Sequence, residues 1–238
     1  TTRLTIDSAG KATFTVDASI NSISIGKGAN SVAGNTVLGE NALDASVSGG
    51  NNTAIGKSSL SDNTSGSGNS ALGRFALIAN TTGSDNTSIG INSLAANTTA
   101  SNNTAVGASA LVANTTGINN VAVGSLALDA NTTANYNTAC GYQALTANTT
   151  GERNASLGFN SLEANTTGSH NTALGSGSLN DNTTASNNTA VGSSALGSNI
   201  TGTQNVAVGA SALDANTTAN NNIGVGHNAL GGTTTGAS

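Results

Sequence analysis

Proline, methionine and tryptophan are absent from the 238 residues, and cysteine occurs once. Charge is scarce too: six Lys plus Arg stand against eleven Asp plus Glu, a formal net charge of −5. Aromatics number five, namely Phe14, Phe75, Tyr136, Tyr142 and Phe159. Each deficit removes a class of protein. Six basic residues cannot furnish the cationic surface that nucleic acid demands. One cysteine precludes an intrachain disulfide framework and a cysteine-rich metal site. No apolar run approaches the roughly 18 residues of a membrane span. The usual type of disorder is charged and proline-rich, and this chain is neither. No leader segment is visible, and a chain beginning at Thr1 reads as a mature form or a fragment. What is left is a low-complexity polar chain or a repeat protein built from small residues.

The glycines decide between these. Gly39, Gly56, Gly73, Gly90, Gly107, Gly124, Gly141, Gly158, Gly175, Gly192, Gly209 and Gly226 are spaced by 17 residues without exception. Four residues before each stands an Asn, from Asn35 through Asn103, Asn120, Asn137 and Asn154 to Asn222. Directly before each glycine is an aliphatic residue, except at Cys140, and before that a small one, usually Ala, with Val37 in the first unit. Ala or Ser follows three residues after the glycine, and Leu four after it, as at Leu111, Leu128, Leu145 and Leu162. A second Asn comes seven after it in ten of the twelve units, then usually Thr-Thr and always Gly or Ala.

A unit of 17 residues is too short for a helix pair and suits one coil of a solenoid. The predicted class is all-β, a parallel β-solenoid or β-roll. N-T-A-V is read as a short strand whose Ala and Val point to opposite faces. A second short strand is predicted through A-L. Glycine makes one corner, at positive φ or close backbone approach, and N-T-T-G makes another. Coils stacked at about 4.8 Å would give a rod of roughly 55 to 60 Å. The Asn columns are read as ladders satisfying buried backbone. One Leu and one other aliphatic per coil make a thin core, about 4 kcal/mol at about 2 kcal/mol per large side chain. Ordering 17 backbones costs more, so the expectation is a homotrimer burying one face of each coil.

Residues 1–20 differ. Leu4, Ile6, Phe14 and Val16 alternate with polar partners about D-S-A-G-K, a predicted hairpin that caps the solenoid or links it onward. Residues 21–238 are assigned to the repeat, opening with a shorter coil because Gly26 lies 13 residues before Gly39. Ser238 falls just before the next Asn would stand, which reads as a chain cut from a longer protein or closed by a partner.

N-S-I-S-I-G-K-G-A and N-T-A-V-G-A-S-A-L resemble the head repeats of trimeric autotransporter adhesins. N-N-T-A-V-G-A-S-A-L-V-A-N-T-T-G is similar to repeats of bacteriophage tail fibres, and L-T-I-D-S-A-G-K resembles the segment preceding them. The resemblance spans about residues 1–238. It implies a left-handed roll, trimeric assembly and an extracellular place, in a virion tail fibre or on a bacterial surface. It further implies a host cell-surface glycan or protein as partner, with no nucleic acid and no membrane insertion.

No nucleophile–base pair or phosphate loop is evident, so neither a catalytic set nor a metal or cofactor is expected. His170 and His227 lie in different columns, and Cys140 in the aliphatic column reads as a small buried hydrophobe. Glu152 and Glu163 share one stretch and Asp181 follows one coil on, but solvated acids that keep a rod soluble explain them. The N-x-T triplets match glycosylation acceptors, yet the repeat accounts for them. Specificity is sought in variable columns. Tyr142 and Phe159 are neighbours in the column after the glycine, and Tyr136, Arg153 and His170 in the column before the Asn. These five are the candidate receptor contacts, because aromatic and Arg side chains anchor partners. The leading expectation is a non-enzymatic adhesive fibre giving a rigid rod for host attachment. An ice-binding solenoid using Thr and Asn columns is the alternative, and a polysaccharide depolymerase a weaker one.

Overall fold

The computed structural model describes residues 4–6, 8, 12–14, 17–45 and 47–232. The expected end at Ser238 and most of the D-S-A-G-K turn lie outside them. β1 (Leu4–Ile6) pairs antiparallel with β2 (Ala12–Phe14), as the alternation predicts. β3 (Ala18–Ile20) and β4 (Ile23–Gly26) form a second hairpin. Its two-residue turn, Asn21-Ser22, has φ of 49° and 67°, the conformation that matches strand twist in tight hairpins. β4 then pairs antiparallel with β5 (Thr36–Gly39). The short coil expected about Gly26 is therefore a hairpin strand, since 13 residues cannot complete a 17-residue circuit. The Asp17 carboxylate fixes this start by accepting the Lys27 N–H at 2.8 Å and the Gly28 N–H at 2.6 Å. The β3–β4 hairpin thus forms the first edge of the large sheet, while β1 and β2 make a separate two-stranded sheet.

From β5 onward the architecture is a parallel β-solenoid with 17-residue coils. Eleven three-residue strands follow, from β6 (Thr53–Ile55) to β16 (Ile223–Val225), each in register with the one before, as in Thr36↔Thr53 and Val206↔Ile223. Among the described residues the one helical element is the 3₁₀ segment Ala29–Ser31, and no helix is long and apolar enough to cross a membrane. Strands are short because Asn on one side and a corner glycine on the other bound each T-A-V. A Cβ on Gly56, at φ 123°, would stand 2.7 Å from the carbonyl oxygen of Gly73 in the next coil. No side chain fits between backbones stacked that closely.

The second strand predicted through A-L does not form. Leu takes positive φ in every coil, as at Leu111 (51°), Leu145 (56°) and Leu162 (51°), and so does the residue two before it, as at Ser109 (57°). Two left-handed residues so close together turn the chain instead of extending it. Each such conformation costs about 1–2 kcal/mol for a non-glycine residue. It is held where Leu is fully buried, at 0 % exposure from Leu43 to Leu213; Leu230, in the last coil, is 51 % exposed. Backbone rungs continue through the turns, with Leu43 N–H to Ser59 O at 3.0 Å and Leu60 N–H to Ala76 O at 3.0 Å.

The core is a file of Leu lined by the Ala of the strand and the Ala or Ser three after the glycine. Where the strand residue is Ser, so is its facing partner: Ser88 with Ser93, and Ser156 with Ser161, bonded hydroxyl to hydroxyl. Two Asn files line the interior. Asn137 donates its backbone N–H to Asn120 Oδ1 at 2.9 Å and receives that of Asn154 on its own Oδ1 at 2.9 Å. In the second file, Asn80 Nδ2 donates to Asn63 Oδ1 at 2.8 Å. Both files converge on one carbonyl per coil: Gly83 O accepts Asn69 Nδ2 at 2.8 Å and Asn80 Nδ2 at 3.0 Å. The buried amides of the two files thus bond one another and the backbone, save Asn216 Oδ1 at the end of the second file.

One expectation about the core is corrected. The aliphatic residue before each glycine is not in the core but on the outer sheet face, with Leu72 and Leu157 each 47 % exposed. Ala, being the inward residue of T-A-V, forces its two neighbours outward. Cys140 shares that outward column and is half-buried, not enclosed.

Candidate functional site

Two surfaces stand out, the outer sheet face and the coils spanning residues 136–170. On the sheet face, each strand presents its first and third residues. The first column is Thr-rich but includes Val121, Val206 and Ile223, and the third runs from Leu38 through Ile89, Val123 and Leu174 to Val225. No charged residue occurs in either column over the twelve strands β5–β16. Charged groups lie elsewhere on the coil, as in the Lys57–Glu40 pair at 3.0 Å.

The five candidate contact residues do not form one patch. β11 (Thr138–Cys140) and β12 (Ala155–Leu157) separate them into two clusters. Beyond the corner glycine, Tyr142 and Phe159 stack with centroids 5.7 Å apart and planes 13° from parallel. Equal registers in successive coils make that contact automatic. Both rings stay open to solvent, Tyr142 at 46 % and Phe159 at 56 % exposure. On the other side of the strands, the Arg153 guanidinium lies 5.3 Å from the centroid of the Tyr136 ring. Arg153 also meets Glu152 at 3.4 Å, and Glu152 accepts Asn135 Nδ2 at 2.9 Å. His170 follows in the next coil, its N–H bonded to Glu152 O at 3.0 Å.

The acids keep apart. Glu152 belongs to the cluster of Tyr136, and Glu163 to the turn after Phe159. In that turn Glu163 Oε2 accepts Asn160 Nδ2 at 2.6 Å and Asn180 Nδ2 at 3.0 Å. Asn160, Asn180 and the neighbouring Gly177 were not singled out from the sequence. The available signal was Gly177 itself, the one glycine in a column otherwise filled by residues such as Phe75, Gln143 and Asn160.

The Asn column paired with Thr for ice binding is buried, for example Asn114 at 0 % exposure. The adjacent Thr is half-buried and its hydroxyl is engaged, Thr115 Oγ1 donating to Thr132 O at 3.0 Å. Only the next Thr of each pair, such as Thr116 and Thr133, is exposed. The structure thus provides a solenoid with an uncharged outer sheet face, an aromatic pair at one edge of it and a cation–aromatic cluster at the other. Compared with family models, curated proteins and solved structures, the chain has no significant match.

Proposed function

We propose that the chain is a non-enzymatic fibre segment, assembled as a homotrimeric rod and used extracellularly for attachment to a host surface. One observation carries this reading: the outer sheet face is uncharged along all twelve strands, and its aliphatic residues are half exposed. Twelve strands at about 4.8 Å and two outward columns make a strip about 50 Å long and about 10 Å wide. That is on the order of 500 Å² even if flat, about half of it from the Thr-rich column, and comparable with the largest patch a monomer exposes. A second copy of the same face is the partner that matches it, because a symmetry axis along the rod sets every column against itself at equal height. Such an axis also places all amino-terminal hairpins at one end, as a fibre requires. The resemblance to adhesin heads and phage tail fibres supports three copies and places them on a virion or a bacterial surface.

Sedimentation equilibrium tests the assembly. The expected mass is three times 22.8 kDa. Cys140, in the outward column, then lies near its two symmetry mates, and a short bismaleimide joins it to one of them, giving a covalent dimer and one unlinked chain per trimer. A monomeric mass with unlinked Cys140 overturns the reading, and twice the chain mass replaces the trimer by a dimer.

A second reading has one observation in its favour. On β6, β8 (Thr87–Ile89), β9 (Thr104–Val106) and β14 (Thr189–Val191) Thr and an aliphatic residue share the outward face. That two-residue spacing on a strand is what the Thr-Thr corner lacks, and a face left free in a monomer would present it to ice. Thermal hysteresis from a monomeric chain would select this alternative.

A further inference from the structure

We infer that Phe159 and the open shelf beside it form a binding site for a neutral pyranose unit of a glycan. The inference rests on the attachment reading for its purpose, and on local geometry for its chemistry.

Tyr142 covers one face of Phe159. On the other side, the same column continues with Ser176, Ser193 and Ala210, and the next large side chain is His227. Four coils at about 4.8 Å separate Phe159 from His227, so the short residues leave a shelf about 19 Å long beside the ring. The floor is open as well. Gly177 replaces the side chain found at this position in other coils, and a Cβ built there meets nothing nearer than Ser194 Oγ at 3.7 Å. An aromatic face standing over a shelf of hydroxyls and glycine suits the C–H face of a sugar ring.

Polar groups border the shelf at the right place. Asn160 follows Phe159 directly, and Asn180 lies three residues after Gly177. Glu163 Oε2 takes the amides of both, and Asn180 Nδ2 is shared with Asn160 O at 3.1 Å. Glu163 Oε1 accepts no bond among the described residues, and Asn160 Oδ1 is buried without a hydrogen-bond partner. Glu163 Oε1 can accept a ligand hydroxyl, whereas Asn160 Oδ1 is enclosed by the chain. Glu163 and the nearby Asp181 disfavour an anionic sugar, and the net charge of −5 acts in the same direction. Two rings and one shelf are too small for a protein epitope of about 800 Å².

Saturation-transfer NMR tests the site with the methyl pyranosides of β-D-glucose, β-D-galactose and α-D-mannose, and with the methyl glycoside of N-acetylneuraminic acid. Transfer is expected to the ring C–H protons of at least one neutral glycoside. Phe159→Ala should reduce it at least fivefold by removing the stacking surface. Gly177→Phe should do the same by filling the shelf, with little effect on folding because Phe75 occupies the equivalent position at φ 61°. Lys57→Ala, six coils away in the same column, should leave it unchanged. Circular dichroism confirms that each variant keeps the fold. Absence of transfer to all three neutral glycosides overturns the inference. So does transfer that survives both Phe159→Ala and Gly177→Phe, or binding confined to the acidic sugar. Loss of the trimer by mass, with transfer retained, would refute the assembly and leave this site standing.

Discussion

At the scale of single residues, the repeats act as replicates of one experiment. Ala105 and Ala110 show that the inner strand position and its facing partner can both be apolar. Ser156 and Ser161 show that both can be polar, with Ser156 also bonded to Ser161 O at 2.8 Å and Ser161 to Gly158 O at 3.1 Å. A strand serine facing alanine occurs in no coil. A buried hydroxyl without its partner is the disfavoured state. Ser161→Ala should therefore cost about 1 kcal/mol, and Ser156→Ala a similar amount or less. The double variant should recover most of the loss, giving a coupling of about 1 kcal/mol by urea unfolding. Strictly additive losses would show that the two hydroxyls act independently. This pairing was already present in the sequence as correlated substitutions between coils, but only their packing across the interior identifies it as a contact.

At the scale of the element, a coil is held by its neighbours more than by itself. Three strand residues are too few to be stable alone, and the left-handed leucines oppose isolated folding. Stacking supplies what each coil lacks, as in repeat proteins generally. The Asn files are the most exacting part. Asn137 Nδ2 donates to Gly151 O at 2.9 Å, while its Oδ1 holds the Asn154 N–H at 2.9 Å. Asn137→Ala leaves that N–H buried and unpaired, whereas Gly151 O keeps Asn148 Nδ2 at 3.0 Å. The expected loss is about 2–4 kcal/mol, measured as a lowered unfolding midpoint. A loss below about 0.5 kcal/mol would mean that water or a shifted backbone replaces the ladder. The ladders were legible from the recurrence of Asn. The A-L segment was not, because an alanine–leucine pair carries no signal for positive φ; burial of Leu imposes it.

At the scale of the whole molecule, the decisive feature is which side of the sheet is dry. Leu faces inward at every coil and the aliphatic before glycine faces outward, so apolar surface lies on both sides of a thin wall. In a trimer the outward file becomes a second core. Leu157→Asp with Leu174→Asp should then abolish the trimer, since six carboxylates would be buried about one axis. The monomer should keep its β-sheet signal, because both positions are exposed in the single chain. A trimer of unchanged mass would place the interface on another face. The two aromatic clusters would flank such an interface, which separates assembly from recognition along the same strands.

Period, corner chemistry and hydrogen-bonded columns follow from residue type alone. Glycine is demanded where backbones stack too closely for a Cβ, and Asn where a buried backbone needs donor and acceptor together. Strand alternation likewise sets Ala and the aliphatic on opposite faces. Which of those faces turns inward depends on the closed circuit of the coil, whose interior holds one Leu beside small residues, with Val37 of the first coil the largest residue at the inward strand position. That steric limit, imposed by tertiary packing, moves the second aliphatic to the surface. It also divides Tyr136, Arg153 and His170 from Tyr142 and Phe159, because the strand separating them in sequence lies straight between them in space.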